Sequence, residues 1–212
     1  MTMISSGPTT WKFLAVLALI LLLTGCARSV PISYYQLAAT GGNAGGQDIA
    51  PAAGLVIGIG PVRLQENLDR PQLISHIGAN QLQLDDRHRW AQPLAENIAW
   101  VLRENLSALL GTEQLLLYPW ERATTVNYQV VLEILHCEGM ADGTAQLTVL
   151  WSVIDRNGKT LLPQRRGSYQ VPPATPDQGG LVSALSEALS RLSLDMAREL
   201  SRLRDAAPKQ DP

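Results

Sequence analysis

The sequence predicts an α+β domain: a mostly antiparallel sheet with two amphipathic helices packed on one face. Three observations point to it. Two stretches, at about residues 91–110 and 178–203, carry apolar residues at helical spacing. Between them lie strand-like runs separated by turn signals, of which Asn157-Gly158 is the strongest. Apolar types make up 46% of the 212 residues, enough for one core. Charged residues are 17% and the formal net charge is −2, so nothing points to nucleic acid as a partner.

The chain opens on an address. Lys12 and the free amino terminus give a positive start, and Phe13 to Leu23 is apolar without a break. As a helix that run covers only about 16 Å, against ~30 Å of hydrocarbon. It therefore reads as the core of a signal peptide rather than a membrane span. It ends in Leu23-Thr24-Gly25-Cys26, where small residues suit a peptidase site and the thiol can take a diacylglyceryl thioether. This tetrad resembles the lipobox of bacterial lipoproteins, with residues 1–25 removed and Cys26 lipidated; an ordinary signal peptide with an incidental cysteine is the alternative. In enterobacterial lipoproteins an Asp after the cysteine retains the protein in the inner membrane. Ala27 stands there, which implies a lipid-anchored protein on the outer membrane, facing the periplasm. Acylation of Cys26 leaves Cys137 without a disulfide partner. Its place in an apolar run predicts a buried thiol.

Residues 26–54 read as a lipidated tether and Gly-rich linker, in which Tyr34 to Leu37 can join the sheet. Residues 55–205 read as the periplasmic domain, and 206–212 as a disordered tail. Leu55 to Leu64 is strand-like; its Gly58-x-Gly60 is followed by Pro61 instead of a helix, which favours close strand packing over a dinucleotide loop. Gln72 to Ile77 and Gln81 to Leu84 read as short strands, and Asp85 to Trp90 as a charged loop. Pro93 and Gly111 bracket the first helix, whose stripe is Leu94, Ile98, Val101, Asn105 and Leu109. An antiparallel meander is then expected from Leu115–Pro119, Asn127–Glu138, Thr144–Asp155 and Leu161–Val171. On its long strand, alternation groups Tyr128, Val130, Leu132, Ile134 and His136 on one face. The other face carries Gln129, Val131, Glu133, Leu135 and Cys137, a mixture suited to oligomer or partner contact.

Chemistry is scarce. His76, His88 and His136 lack metal-ligand spacing, and there is neither a C-x-x-C nor a nucleophile elbow. No enzyme, metal or cofactor is expected beyond the covalent lipid on Cys26. The most informative internal run is Asn67-Leu68-Asp69-Arg70-Pro71-Gln72. On the residues alone a turn is favoured, because Asp69 suits turn initiation and Pro71 fixes φ. The functional reading is partner binding by Asp69, Arg70, Pro71 and Gln72, with Trp90 as an interface anchor.

Four stretches in order carry a family resemblance: Tyr34-Tyr35-Gln36-Leu37; Ile57-Gly58-Ile59-Gly60-Pro61-Val62; Leu68-Asp69-Arg70-Pro71-Gln72-Leu73; and Arg89-Trp90-Ala91-Gln92-Pro93-Leu94 leading into Asn105-Leu106. The chain resembles the ABC-type transport auxiliary lipoproteins and, within them, the PqiC-like group. It departs from relatives at Gln65-Glu66-Asn67, where Pro-x-Tyr is frequent, and at Gln92, where Glu is common. The resemblance implies an outer-membrane lipoprotein of an MCE-type intermembrane lipid transport system that supports envelope integrity. The implied partners are an MCE-domain tunnel protein (PqiB-like), an inner-membrane PqiA-like component, and further copies in a homo-oligomeric ring. A lipid-binding periplasmic carrier is the alternative, and an envelope hydrolase a third reading.

Overall fold

The computed structural model describes residues 11–13, 31–41, 49, 51–52, 54–121 and 123–206. The chain divides into two units, Met1–Pro31 and Ile32–Pro212. Cys26, most of the signal-peptide run, most of the Gly-rich stretch and the tail from residue 207 lie outside the described residues. Among those described, no helix is long and apolar enough to cross a membrane. The second unit begins at Ile32 and includes the segment around the buried Leu37.

The meander is present as three antiparallel strands: β6 (Tyr128–Gly139), β7 (Ala145–Asp155) and β8 (Thr160–Val171). The last turn is held by Asp155, whose Oδ1 accepts the amides of Asn157 and Lys159 at 2.8 Å each. Along its other edge β6 meets β2 (Ile57–Leu64) in parallel, and β2 meets β5 (Leu115–Leu117) in parallel. The expected first strand of the meander is therefore a parallel neighbour of β2. The crossover that such pairing needs is supplied by the helix α1 (Leu94–Leu110) just before it. With strands on both sides, Ile57 to Gly60 are all buried. The two glycines make room for aromatic rings: a Cβ on Gly58 would lie 2.5 Å from the Trp120 ring, and Gly60 has φ +109° beside Tyr118.

The remaining strands form a wing. β3 (Gln72–Gly78) and β4 (Gln81–Trp90) make an antiparallel hairpin, linked to β6 through the pairing of Ser75 with Gly139. β1 (Ser33–Tyr35) lies parallel to β4. The charged run Asp85 to Trp90 is thus strand and not loop. Asp85 and Arg89 pair with β3 and His88 to Trp90 with β1, across a register shift at Asp86 and Arg87, while most of its charged side chains reach solvent. Side-chain polarity suggested a loop, and backbone partners distant in sequence decide otherwise.

α1 and α2 (Gln178–Ala206) bury their apolar stripes against the sheet face bearing Tyr128, Val130, Leu132 and Ile134. α1 stops at Gly111, a left-handed residue whose amide donates to Ser107 O. α2 starts behind Asp177, whose Oδ1 accepts the Gly180 amide at 2.7 Å; that bond, with the Thr175 hydroxyl's, holds the carboxyl below its ordinary range. One break in the alternation changes which residues share a face. Ile134 pairs with Val149 and His136 with Thr148, so Leu135 is a bulge. Beyond it Cys137 turns into the core opposite Leu147, and His136 leaves the face on which simple alternation had placed it.

Candidate functional site

The run singled out from sequence closes the gap between β2 and β3. It is a built turn: the Leu68 amide donates to Gln65 O and the Arg70 amide to Leu68 O, both at 2.9 Å. Leu68 plugs the core, so Asp69, Arg70 and Pro71 are pushed outward. Asp69 and Pro71 are exposed and Arg70 is half-buried, with its Nε enclosed and lacking a hydrogen-bond partner. Gln72 donates from Nε2 to Asp86 Oδ1 at 3.0 Å. Trp90 meets this turn through its backbone, its amide donating to Pro71 O at 2.7 Å. The indole itself is in the core, 7% exposed. The structure therefore brings all five residues together, but Trp90 lies beneath the loop and Asp69 to Gln72 form its surface.

Beside the loop, Asp85 accepts from His88 Nδ1 at 2.6 Å and from the Arg87 amide at 3.0 Å. Burial pushes the Asp85 carboxyl up, but those two bonds and the nearby positive charges outweigh it, leaving it below the ordinary 3.8. His88 also packs on Tyr35, with ring centroids 5.6 Å apart. The edge strand β1 is thereby held by ring packing as well as backbone pairing.

Sequence reasoning missed a second polar assembly, which seizes the chain just after β1. Asn97, 1% exposed inside the α1 stripe, accepts the Leu37 amide at 2.7 Å and donates to Leu37 O at 3.2 Å. Ser186 of α2 accepts the Ala38 amide at 3.1 Å. Asn105 accepts the Thr40 amide at 3.1 Å and donates to Ser193 Oγ at 3.3 Å. The signal was available in the sequence: Asn97, Asn105, Ser186 and Ser193 are polar residues at positions where the helical stripes require apolar ones.

A third group lies where the wing meets β6. Glu138, 1% exposed, receives His76 Nε2 at 3.0 Å and His136 Nδ1 at 2.8 Å on the same Oε1, while its buried Oε2 has no partner. The His76 bond ties β3 to β6 beside the Ser75–Gly139 pairing. Neighbouring Cys137 is a buried free thiol, pushed up to about 12 by burial and then by the Glu138 charge. Such a thiol stays protonated near neutral pH and is a poor nucleophile. Among the described residues, no group of three or more His, Cys, Asp or Glu is arranged to hold a metal.

These features describe an α+β domain whose buried polar groups secure its own N-terminal segment and wing. Over residues 35–197 the sequence matches the family of ABC-type transport auxiliary lipoprotein components. The chain belongs to that family. No curated protein matches it in sequence. Among solved structures, an uncharacterised protein matches with TM-score 0.66 at 17% identity, over 81% of this chain and 99% of that one. The protein XCC0632 from Xanthomonas campestris matches with TM-score 0.62 at 11% identity, over 82% of this chain and 97% of that one. A PelC variant from Paraburkholderia phytofirmans, a dodecamer, matches with TM-score 0.43 at 16% identity, over 73% and 91% of the respective chains. The first two likenesses show a shared fold, and the third is too distant to carry an argument.

Proposed function

We propose that this auxiliary lipoprotein is anchored in the outer membrane through Cys26 and docks an MCE-domain tunnel protein there, as a non-catalytic component of intermembrane lipid transport. The supporting observation is the capture of the N-terminal segment. Ser33 is already in the sheet and Leu37 is clamped by Asn97. From Cys26 to Ser33 the chain reaches at most about 23–25 Å, seven intervals of 3.3–3.6 Å. A body held so close cannot cross the periplasm, so an inner-membrane system has to come to it through a long partner. Asp69, Arg70, Pro71 and Gln72 offer that partner a stiff polar loop, with Trp90 supporting it from beneath. The half-exposed sheet face of Val131, Leu135, Leu150 and Ile154 suits contact between copies in a ring.

Two measurements test this reading. Cys26→Ala should leave the outer-membrane fraction; unchanged fractionation rules out the anchor. A pull-down from membranes with the lipidated protein should recover an MCE-domain tunnel protein, and Arg70→Glu should reduce its recovery while thermal unfolding stays unchanged. The carrier alternative draws on a cleft of about 680 Å³ in which half-buried Leu55, Leu161 and Leu203 lie beside exposed Arg156 and Lys159. Phospholipid co-purifying with the Cys26→Ala protein, lost on Leu161→Asp, would favour the carrier.

A further inference from the structure

Large apolar side chains that remain exposed in the Ile32–Pro212 unit are concentrated on the wing. Ile77, Leu82 and Leu84 of the β3–β4 hairpin are 53%, 40% and 42% exposed, and Ile32 and Tyr34 beside it 43% and 64%. Leu82 and Leu84 share a face of β4 by alternation. From Gln72 to Leu84 the hairpin contains no Asp, Glu, Lys or Arg. A hairpin that projects into water ordinarily carries charge, which keeps its edges from pairing with other chains. This one carries none of these charged residues, and toward its tip Ile77, Leu82 and Leu84 stand exposed among the neutral amides of Asn80, Gln81 and Gln83.

Strand direction fixes where that tip points. β1 runs parallel to β4, with Ser33 opposite His88. The chain preceding Ser33 therefore approaches from the side on which β4 begins, which is the tip. Gln81 lies seven residues before His88, and Cys26 lies seven residues before Ser33. β4 carries extra residues at the register shift between Asp85 and Arg89, so the tip lies nearer to Ser33 than seven extended residues, and a tether of about 23 Å at 3.3 Å per residue reaches it with length to spare. A tether that is not fully extended brings the bilayer to the tip.

We propose that the β3–β4 hairpin is a second membrane contact, with Ile77, Leu82 and Leu84 lying in the interfacial region of the same bilayer that holds the lipidated Cys26. The inference rests on the anchor reading above. Three modest apolar side chains bind a bilayer weakly alone, but the tether holds them at the surface, where the contact is effectively intramolecular. The contact fixes the orientation of the body. The β6–β7 end faces the membrane, and the Asn157-Gly158 turn at the opposite end of β7 faces away.

The test uses mature lipidated protein, reconstituted in vesicles of phosphatidylethanolamine with a minority of phosphatidylglycerol. An environment-sensitive fluorophore is attached through Asn80→Cys at the hairpin turn or, as a control, through Asn157→Cys. Flotation with the vesicles first establishes the anchor. The expected result is blue-shifted emission at position 80 and loss of most of it to spin-labelled lipids, with neither effect at 157. Ile77→Gln/Leu82→Gln/Leu84→Gln, at exposed positions that leave the fold intact, should still float but lose the shift and the quenching. Floating protein with position 80 unquenched overturns the inference alone. Quenching that survives the triple substitution also overturns it, since proximity then comes from the tether without contact. A shift that needs no vesicles and grows with protein concentration assigns the hairpin to contact between copies. Protein that fails to float overturns the anchor and this inference with it.

Discussion

Replacing Asn97 by Ala isolates the clamp on the N-terminal segment. The side-chain amide makes two hydrogen bonds to Leu37, one to its amide at 2.7 Å and one from Asn97 Nδ2 to its carbonyl at 3.2 Å, and Leu37 is fully buried. Removing the side chain strands two buried backbone groups, each at a cost of about 1–3 kcal/mol. Ala gains roughly half a kcal/mol over Asn in helix propensity. The segment can also respond by peeling away, which limits the loss to what its attachment contributes; the Leu37 side chain alone contributes about 1.5–3 kcal/mol of burial. A net loss of about 3 kcal/mol follows, and at 2–4 °C per kcal/mol for a domain of this size Tm should fall by about 6–12 °C. Ser186→Ala, which removes the bond from the Ala38 amide and the hydroxyl's own bond to Val182 O, should cost about 1 kcal/mol.

Thermal unfolding gives the global number, and hydrogen exchange at the Leu37, Ala38 and Thr40 amides gives the local one. Peeling predicts that these amides lose protection well before the amides of β6 and β7. A variant whose Tm stays within about 1 °C of the parent, with Leu37 still protected, would refute the clamp; so small a shift is under 1 kcal/mol.

Other expectations concern single residues. Trp90→Ala should cost about 3–5 kcal/mol, because a core indole is removed, and a urea midpoint shift reads it; Arg70→Glu, at the loop surface, should stay within about 1 kcal/mol. Cys137 should resist alkylation until denaturant is added. Its raised folded value also means that the unfolded chain deprotonates first, so stability is intact below about 9 and falls as pH rises toward about 12, by about 1.4 kcal/mol per pH unit; Cys137→Ala should flatten that slope in alkaline melts. Asp85 has the opposite sign: its depressed folded value contributes stability above about 3.8 that is lost as pH falls through the folded value. Asp85→Asn should therefore narrow its gap to the parent in melts taken at progressively lower pH.

Periodicity made the helices and the meander legible, because both are short-range patterns: Leu94 to Leu109 with Gly111 at its end, and Asn157-Gly158 between two alternating runs. What escaped was set by partners far along the chain. β5 is three leucines whose direction depends on β2, some fifty residues earlier. Asp85 to Trp90 looks solvated, and its backbone is taken by β3 and β1. The bulge at Leu135 leaves no mark in the alternation, yet it exchanges His136 for Cys137 on the core face. For the candidate site, Asp69 to Gln72 were legible as one turn, since Pro71 fixes its geometry locally. The burial of Trp90 was not, because its type suits a core and an interface equally.

The clamp and the hairpin contact depend on each other. On the proposed anchor, a pull between membrane and partner passes from Cys26 into β1, then through Leu37 and Thr40 into α1. Lipid chains hold by about 0.8 kcal/mol per buried CH₂, so two or three chains exceed the 5–15 kcal/mol that stabilises a whole domain. The lipid is thus not the first element to yield. The weakest link is the three-residue β1 with the segment behind it, and Asn97, Ser186 and Asn105 reinforce that link. If residues 33–40 peel, the free tether grows from a reach of about 25 Å to about 50 Å. The tether then far exceeds the height of the hairpin, and the tip can leave the bilayer. Buried amides suit this task better than leucines would, because a strand end offers unpaired backbone groups that only a donor and an acceptor can satisfy. Asn97→Ala should therefore weaken lipid quenching at position 80 even at temperatures where the body remains folded. Quenching at the parental level, with the Leu37 amide unprotected, would separate the two devices and leave the hairpin to hold its orientation without the clamp.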